Sequence, residues 1–525
     1  MNTNKSLISG LLLISLTISC TGIQTSNEKT IVFGKPKDAV TLDVADVTEA
    51  ESTAVTHNIF DTLVRFKSEN TEIEPDLAKE WTVSKDGKVF TFKLKTGIKF
   101  HDGTEFDAQS VKFNFDRQMD IKNPYRYKGK FGYWPIFFNK VKNIEAPDKE
   151  TVVFYLTEPD ATFLTNLALF NMGIESPTAI KTYKEDIFKH PVGTGAFQFV
   201  SWIRNEKIVL KANPDYYDGA PKIDKLIFKP IPDNSVRLLE LEKGTVQGID
   251  GINLDDIPRI TGNKDLKFLT QPGMNLAYLA LNMEKKPYDN KLVRLAIYHA
   301  INRKTLVDAF FAKGTLGEVA KNPIPPTIWG YNNNITDYEY NPGLSKKLLK
   351  QAGYEKGFTT ILWAMPMPRP YMPQPQRIGE AIQSDLRAVG INAKIITHEW
   401  GTYIDKLSNG EHEMAIMGWI GDNGDPDNFL YTLLDVNNTI KPNASNYSFY
   451  KNKEVHELLL KAQRVIDIKE RTKLYEKVQD IAHNDVAMVP LFHSMQVIAF
   501  RSNINGFYLH PTGGKYFRDI YIETK

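Results

Sequence analysis

Cysteine is nearly missing from this chain. Of 525 residues only Cys20 carries a thiol, which excludes an intrachain disulfide framework. An excess of one charge is missing too: 65 Lys and Arg stand against 63 Asp and Glu, for a formal net charge of +2. With neither a basic run nor an aromatic–basic platform, nothing points to a polyanion, and no nucleic-acid partner is expected. The one prominent apolar run, Leu7–Ile18, falls short of the roughly 20 residues a spanning helix needs. Hydrolase signatures are lacking as well. There is no G-x-S-x-G, and His398-Glu399, His412-Glu413 and His456-Glu457 each lack the second histidine of a zinc-protease motif. His101 beside Asp102 has no second ligand at metal spacing, so it reads as a structural histidine. No catalytic group, metal or cofactor is therefore expected, and a peptidase is the weaker alternative class.

What is present centres on Glu413–Phe429, EMAIMGWIGDNGDPDNF. Its first half is a short apolar strand ending at Gly418-Trp419. Its second half turns polar, with Asp422, Asp425 and Asp427 among Gly421, Gly424 and Pro426. Upstream, Thr359–Met365 (TTILWAM) is strand-like and runs into Pro366-Met367-Pro368-Arg369-Pro370-Tyr371. Between them the periodicity predicts a helix over Arg377–Gly390, a strand over Ile391–Thr397 and a short helix over Tyr403–Leu407. Strand, helix, strand, helix, strand is the pattern of a parallel α/β sheet, in which ligands sit beyond the carboxyl ends of the strands. Arg369 follows one such end and Asp422 another, so a cation and an anion are expected to face one crevice, a geometry suited to a zwitterion. Asp425 and Asp427 read instead as a turn and a helix cap. Their cluster lacks the glycine and terminal glutamate of a calcium loop.

At 525 residues the chain has material for two or more domains. Met1–Ser19 reads as a targeting segment, with Lys5 before the apolar core. Leu16–Cys20 resembles a bacterial lipobox with Thr17 where leucine is usual, so Cys20 is the expected lipidation site and residues 20–28 a tether. Further on, Lys29–Gly34 predicts a strand. Thr48–Phe60 predicts a helix capped by Thr48, with Glu51 three residues on. Ser84–Gly87 is turn chemistry ahead of a strand with alternating Phe90, Phe92 and Leu94, and Asp107 is placed to cap a helix containing Val111 and Phe115.

Leu77–Trp81 (LAKEW), the run Phe90–Phe106 (FTFKLKTGIKFHDGTEF) and His190–Phe199 (HPVGTGAFQF) together are similar to the extracellular solute-binding proteins of family 5, which serve ABC importers of peptides and nickel. Pro323–Gly330, Leu362–Pro366, Arg369–Tyr371, Glu399–Gly401 and Gly418–Phe429 resemble the dipeptide-binding branch. The resemblance implies a two-lobed periplasmic-binding-protein type II fold with an extra subdomain in lobe I. Lobe I is placed at 21–273 with a return over 492–525, the extra subdomain at about 90–158, and lobe II at 274–491. It also implies that Asp422 receives a peptide ammonium and Arg369 its carboxylate, with Pro370, Tyr371, Trp419, Ile420 and Gly421 as further contacts. From lobe I, Thr48 and Glu49 are candidates, and a glutamate there would favour basic side chains. The implied partners are a dipeptide, the permease and ATPase subunits of an importer, and a membrane reached through the lipid anchor, with the protein a monomer in the cell envelope. Glutathione, longer oligopeptides, haem and nickel remain open as cargo.

Overall fold

The structure is a computed structural model and describes residues 28–523. The expected leader and Cys20 lie outside the described residues. Two lobes share one twelve-stranded sheet. In lobe I the strand Thr30–Lys35 (TIVFGK) pairs in parallel with Lys225–Pro230 and Gly248–Ile249, and Lys207–Ala212 and Phe197–Ile203 extend the sheet antiparallel. In lobe II the strand Asn275–Leu281 is buried along its whole length, as its nearly unbroken apolar sequence NLAYLAL dictates. Each leucine of this strand removed from water contributes about 1.5–3 kcal/mol.

The α/β unit expected around residue 413 is present. Phe358–Trp363 lies parallel to Ile391–Ile396 on one side and to Met414–Ile420 on the other, with helices Pro375–Ala388 and Trp400–Ser408 as crossovers. The first crossover buries Ile378, Ile382 and Leu386, the stripe that its 3.6-residue period marks out.

The chain passes between lobes along two neighbouring strands. Leu266–Pro272 belongs to lobe I and continues after Gly273 and Met274 into Asn275–Leu281 of lobe II. Val489–Arg501 runs back beside it. Its first part, to Ser494, pairs with lobe II, and its second part, from Met495, pairs with Leu266–Pro272. The carboxyl ends of Thr30–Lys35 and Gly248–Ile249 point toward these crossings, because both strands run opposite to Val489–Arg501 within the sheet.

A separate body is inserted in lobe I. Its four-stranded antiparallel sheet is ordered Ala78–Val83, Val89–Leu94, Thr151–Leu156, Val141–Asp148, and its core runs from Leu63 to Ile174. This is wider than the 90–158 expected. The strand Ala78–Val83 is a sheet edge with exposed Lys79 and Glu80, so its sequence does not alternate clearly. Asp107 does cap the helix Ala108–Met119, accepting from Ser110 N at 2.9 Å. Thr48 does not cap the next-to-first helix of the chain, Ala50–Thr56. Glu49 does, its carboxylate accepting from the N–H groups of Glu51 (2.7 Å) and Ser52 (3.0 Å), while Thr48 is exposed. The longer glutamate reaches the orphan donors from one position later than the sequence pattern suggests.

Candidate functional site

The anionic pole is built at the end of Met414–Ile420. Gly421 N–H donates to Met274 O (2.8 Å), fixing the turn against the first crossing. The chain then lifts Asp422 out of the sheet. Its carboxylate accepts from Tyr133 Oη at 3.3 Å and Asn428 Nδ2 at 3.4 Å. Asn428 is held in turn, its Oδ1 accepting from Trp419 Nε1 (2.9 Å) and Asp422 N (3.2 Å). Both donors to the carboxylate are neutral and long, and among the described residues no cation pairs with it. Burial consequently pushes Asp422 up to about 6, and the two hydrogen bonds only moderate the rise. The residue keeps part of its surface uncovered.

The cationic pole is built in the loop after Phe358–Trp363. Arg369 and Met372 exchange backbone hydrogen bonds (3.0 and 2.8 Å), making a tight turn between prolines. The Arg369 guanidinium lies 4.5 Å from the centre of the Trp400 ring and makes no ion pair among the described residues. Stacking fixes the plane of the guanidinium while its N–H edges stay available for a planar, two-oxygen acceptor. Pro370 O accepts from Ser494 Oγ (3.0 Å) at the second crossing. Tyr371 is buried against Gly418, where a β-carbon would fall 2.3 Å from its ring. Both poles are thus anchored to the segments that join the lobes, and each follows the carboxyl end of one of two parallel strands that pair at Leu362–Met414 and Trp363–Ala415.

The other residues singled out in the sequence fall into different roles. Trp419 is half-buried and tied to Asn428, Ile420 is exposed at the strand end, and Pro370 is exposed. Glu49 gives its oxygens to backbone N–H groups as a helix cap. Asp427 does not cap a helix with its side chain; it is the first residue of Asp427–Leu434 and accepts from Gln463 Nε2 (3.1 Å). Asp425 is more than a turn residue. It is buried and paired with Arg471 at 2.8 Å, across 46 residues. His101 lies with Nε2 donating to Gly195 O at 2.9 Å, and burial holds it down at about 4. Tyr133 and Asn428, both on Asp422, carry no sequence signal of their own. Tyr133 lies 289 residues away in the inserted body.

The lobes touch directly around this loop. Asn423 Nδ2 donates to Asn166 Oδ1 (2.8 Å), Ala161 N to Gln463 O (2.8 Å), and Arg464 pairs with Glu158 (3.1 Å). Gly424 packs so closely on Thr71 that a β-carbon would lie 2.3 Å from the threonine Cβ. Gly424→Ala is expected to prop the lobes apart and weaken ligand binding by about 1–3 kcal/mol, the usual penalty of overpacking. Calorimetric titration beside small-angle scattering checks it. Unchanged affinity and unchanged dimensions would show that this contact does not govern closure.

Among the described residues no cluster of three or more His, Cys, Asp or Glu is placed to hold a metal ion, and no helix is long and apolar enough to cross a membrane. Residues 72–441 match the family of bacterial extracellular solute-binding proteins, family 5. The chain is 37% identical to the dipeptide-binding protein of Escherichia coli (strain K12), with 98% of each chain covered. It is 36% identical to haem-binding protein A of Haemophilus influenzae, over 96% of this chain and 94% of that one. Its fold superposes on the solved periplasmic binding protein DppA of Helicobacter pylori, in complex with the peptide STSA, with a TM-score of 0.82. Sequence identity there is 39%, over 95% of this chain and 99% of that one.

Proposed function

Since the chain belongs to the bacterial extracellular solute-binding proteins of family 5, we propose that it captures short peptides, dipeptides first, between its lobes and delivers them to the permease of an ABC importer. The observation that carries this reading is the pair of unpaired opposite charges: Asp422 with only neutral donors, Arg369 with only an aromatic face. A free dipeptide supplies one ammonium and one carboxylate, each costly to desolvate without a partner. The crossings at Pro272–Asn275 and Ser494–Met495 are the hinge, and ligand contacts to both lobes favour the closed form. The protein is a binder without catalytic activity, anchored through Cys20 and monomeric, and ATP is hydrolysed by other subunits. Mass spectrometry of the cargo that copurifies with the protein tests the reading. Small peptides with free termini support it, and an apolar macrocycle or a metal chelate overturns it.

Longer peptides are the second reading, because the Helicobacter relative holds the peptide STSA. Titration with Ala-Ala, Ala-Ala-Ala and Ala-Ala-Ala-Ala separates the two. Binding that falls steeply beyond the dipeptide supports two fixed charges reading length, and equal affinity across the series supports the longer cargo.

The anionic pole also sets a pH dependence. An ammonium binds the ionised form of Asp422, whose pKa in the ligand-free protein is about 6 against an ordinary value of 3.8. Protons therefore compete with ligand as pH falls through 6. Kd is expected to be flat above about pH 7 and to rise about tenfold per unit below 6, until the ligand-bound form also takes up a proton. A series of titrations from pH 8 to pH 4.5 reads this directly, and a Kd constant down to about pH 4.5 would remove Asp422 from the ammonium site.

A further inference from the structure

The atom that carries a peptide's ammonium also carries its first side chain, so whatever surrounds Asp422 meets that side chain too. From lobe I the nearest group is Tyr133, whose hydroxyl touches the carboxylate. Its ring sits 5.4 Å from that of Phe137 and 5.3 Å from that of Phe170, the latter edge-on. All three rings are only partly buried, although they stand where the lobes meet. Their position relative to Asp422 is fixed by a second route. Asn166 reaches the Phe137 carbonyl with Nδ2 (3.5 Å) and accepts from Asn423, the residue next to Asp422. Burial and the neighbouring Asp422 anion raise the Tyr133 phenol, so its hydroxyl stays a donor.

We propose that Tyr133, Phe137 and Phe170 form the wall that receives the ligand's first side chain, favouring aromatic and large aliphatic groups there and rejecting carboxylates. This rests on the reading of Asp422 as the ammonium receptor. Ring faces carry negative quadrupole charge, and the hydroxyl donor of the wall, Tyr133, is already given to Asp422, so an acidic first side chain meets repulsion from the rings without a free donor among them. An apolar side chain instead covers ring surface that is otherwise left open to water. The carboxylate draws the second residue of a dipeptide toward Arg369 instead, so the preference is positional.

The test titrates the full chain with Phe-Ala, Ala-Phe, Glu-Ala, Ala-Glu and Ala-Ala, in the wild type and in Phe170→Ala and Tyr133→Phe. In the wild type Phe-Ala is expected to bind about tenfold or more tighter than Glu-Ala, within the range a hydrophobic pocket delivers. Phe170→Ala is expected to shift the Kd ratio of Phe-Ala to Ala-Phe by about tenfold against Phe-Ala, while Tyr133→Phe, which keeps the ring, leaves that ratio in place. A ratio that Phe170→Ala does not move, or equal losses for both isomers, overturns the wall and leaves the ammonium site standing. If the wild type binds none of these dipeptides, the functional reading fails and the wall falls with it. Thermal melting of each variant separates misfolding from a change in preference.

Discussion

Asp422→Ala is expected to weaken dipeptide binding by about 2–5 kcal/mol, the cost of leaving a desolvated ammonium without its charge partner. At 25 °C that is about 30-fold to several thousand-fold in Kd. The substitution should leave the fold in place, because Asp422 gives the protein only two long hydrogen bonds from neutral donors and stands at an energetic disadvantage when ionised. Its loss is even expected to raise the melting temperature slightly at neutral pH. Held raised above its ordinary value by burial, the carboxyl favours the folded state when protonated, and this contribution disappears as pH climbs through 6. Calorimetric titration with Ala-Ala beside a melting curve checks both halves. An unchanged Kd in Asp422→Ala would assign the ammonium to another group.

Arg471→Met is expected to cost about 3–5 kcal/mol of folding stability, for the opposite reason. Arg471 and Asp425 are both nearly fully buried, joined by two 2.8 Å contacts, and Tyr475 Oη adds a longer one to the same carboxylate. Removing the guanidinium strands a charge in the interior. Asp425 also accepts from Asp427 N (3.0 Å) and so holds the polar loop that presents Asp422. Binding should therefore weaken together with stability in this variant, whereas Asp422→Ala separates the two. The double variant Asp425→Leu/Arg471→Met is expected to recover only part of the melting temperature, because it removes the stranded charge but leaves the Asp427 N–H, the Tyr475 hydroxyl and the Ala462 carbonyl without this partner. If Arg471→Met melts at the wild-type temperature, the pair is not a determinant of the fold.

Much of the lobe II architecture was legible in the sequence. The strands at 359 and 414 are marked by short apolar runs, the strand at 391 by alternation (INAKII) and the helix at 377 by a clean 3.6-residue stripe, and the structure places them within three residues at each boundary. The polar termini that follow them, Arg369 and Asp422, come to the same edge because parallel strands share a carboxyl side. What stayed hidden depends on partners distant along the chain. Asp425 looks like turn chemistry locally, and only the approach of Arg471 makes it a buried ion pair. Tyr133 lies in a short segment without periodicity, so nothing along the chain announces that its hydroxyl meets Asp422. The cap at Ala50–Thr56 falls one residue after Thr48 because Glu49 does from its longer side chain what the usual Ser, Thr or Asp cap does from a shorter one.

One set of titrations bears most directly on the two-charge recognition: Ala-Ala, its N-acetyl form and its C-terminal amide, against the wild type, Asp422→Asn and Arg369→Gln. Each blocked peptide should bind the wild type at least about a hundredfold more weakly than free Ala-Ala. Asp422→Asn should erase most of the penalty for acetylation alone, and Arg369→Gln most of the penalty for amidation alone. Blocked and free peptides binding the wild type equally well, or both penalties surviving in both variants, would contradict a site that grips the two ends of the peptide with Asp422 and Arg369.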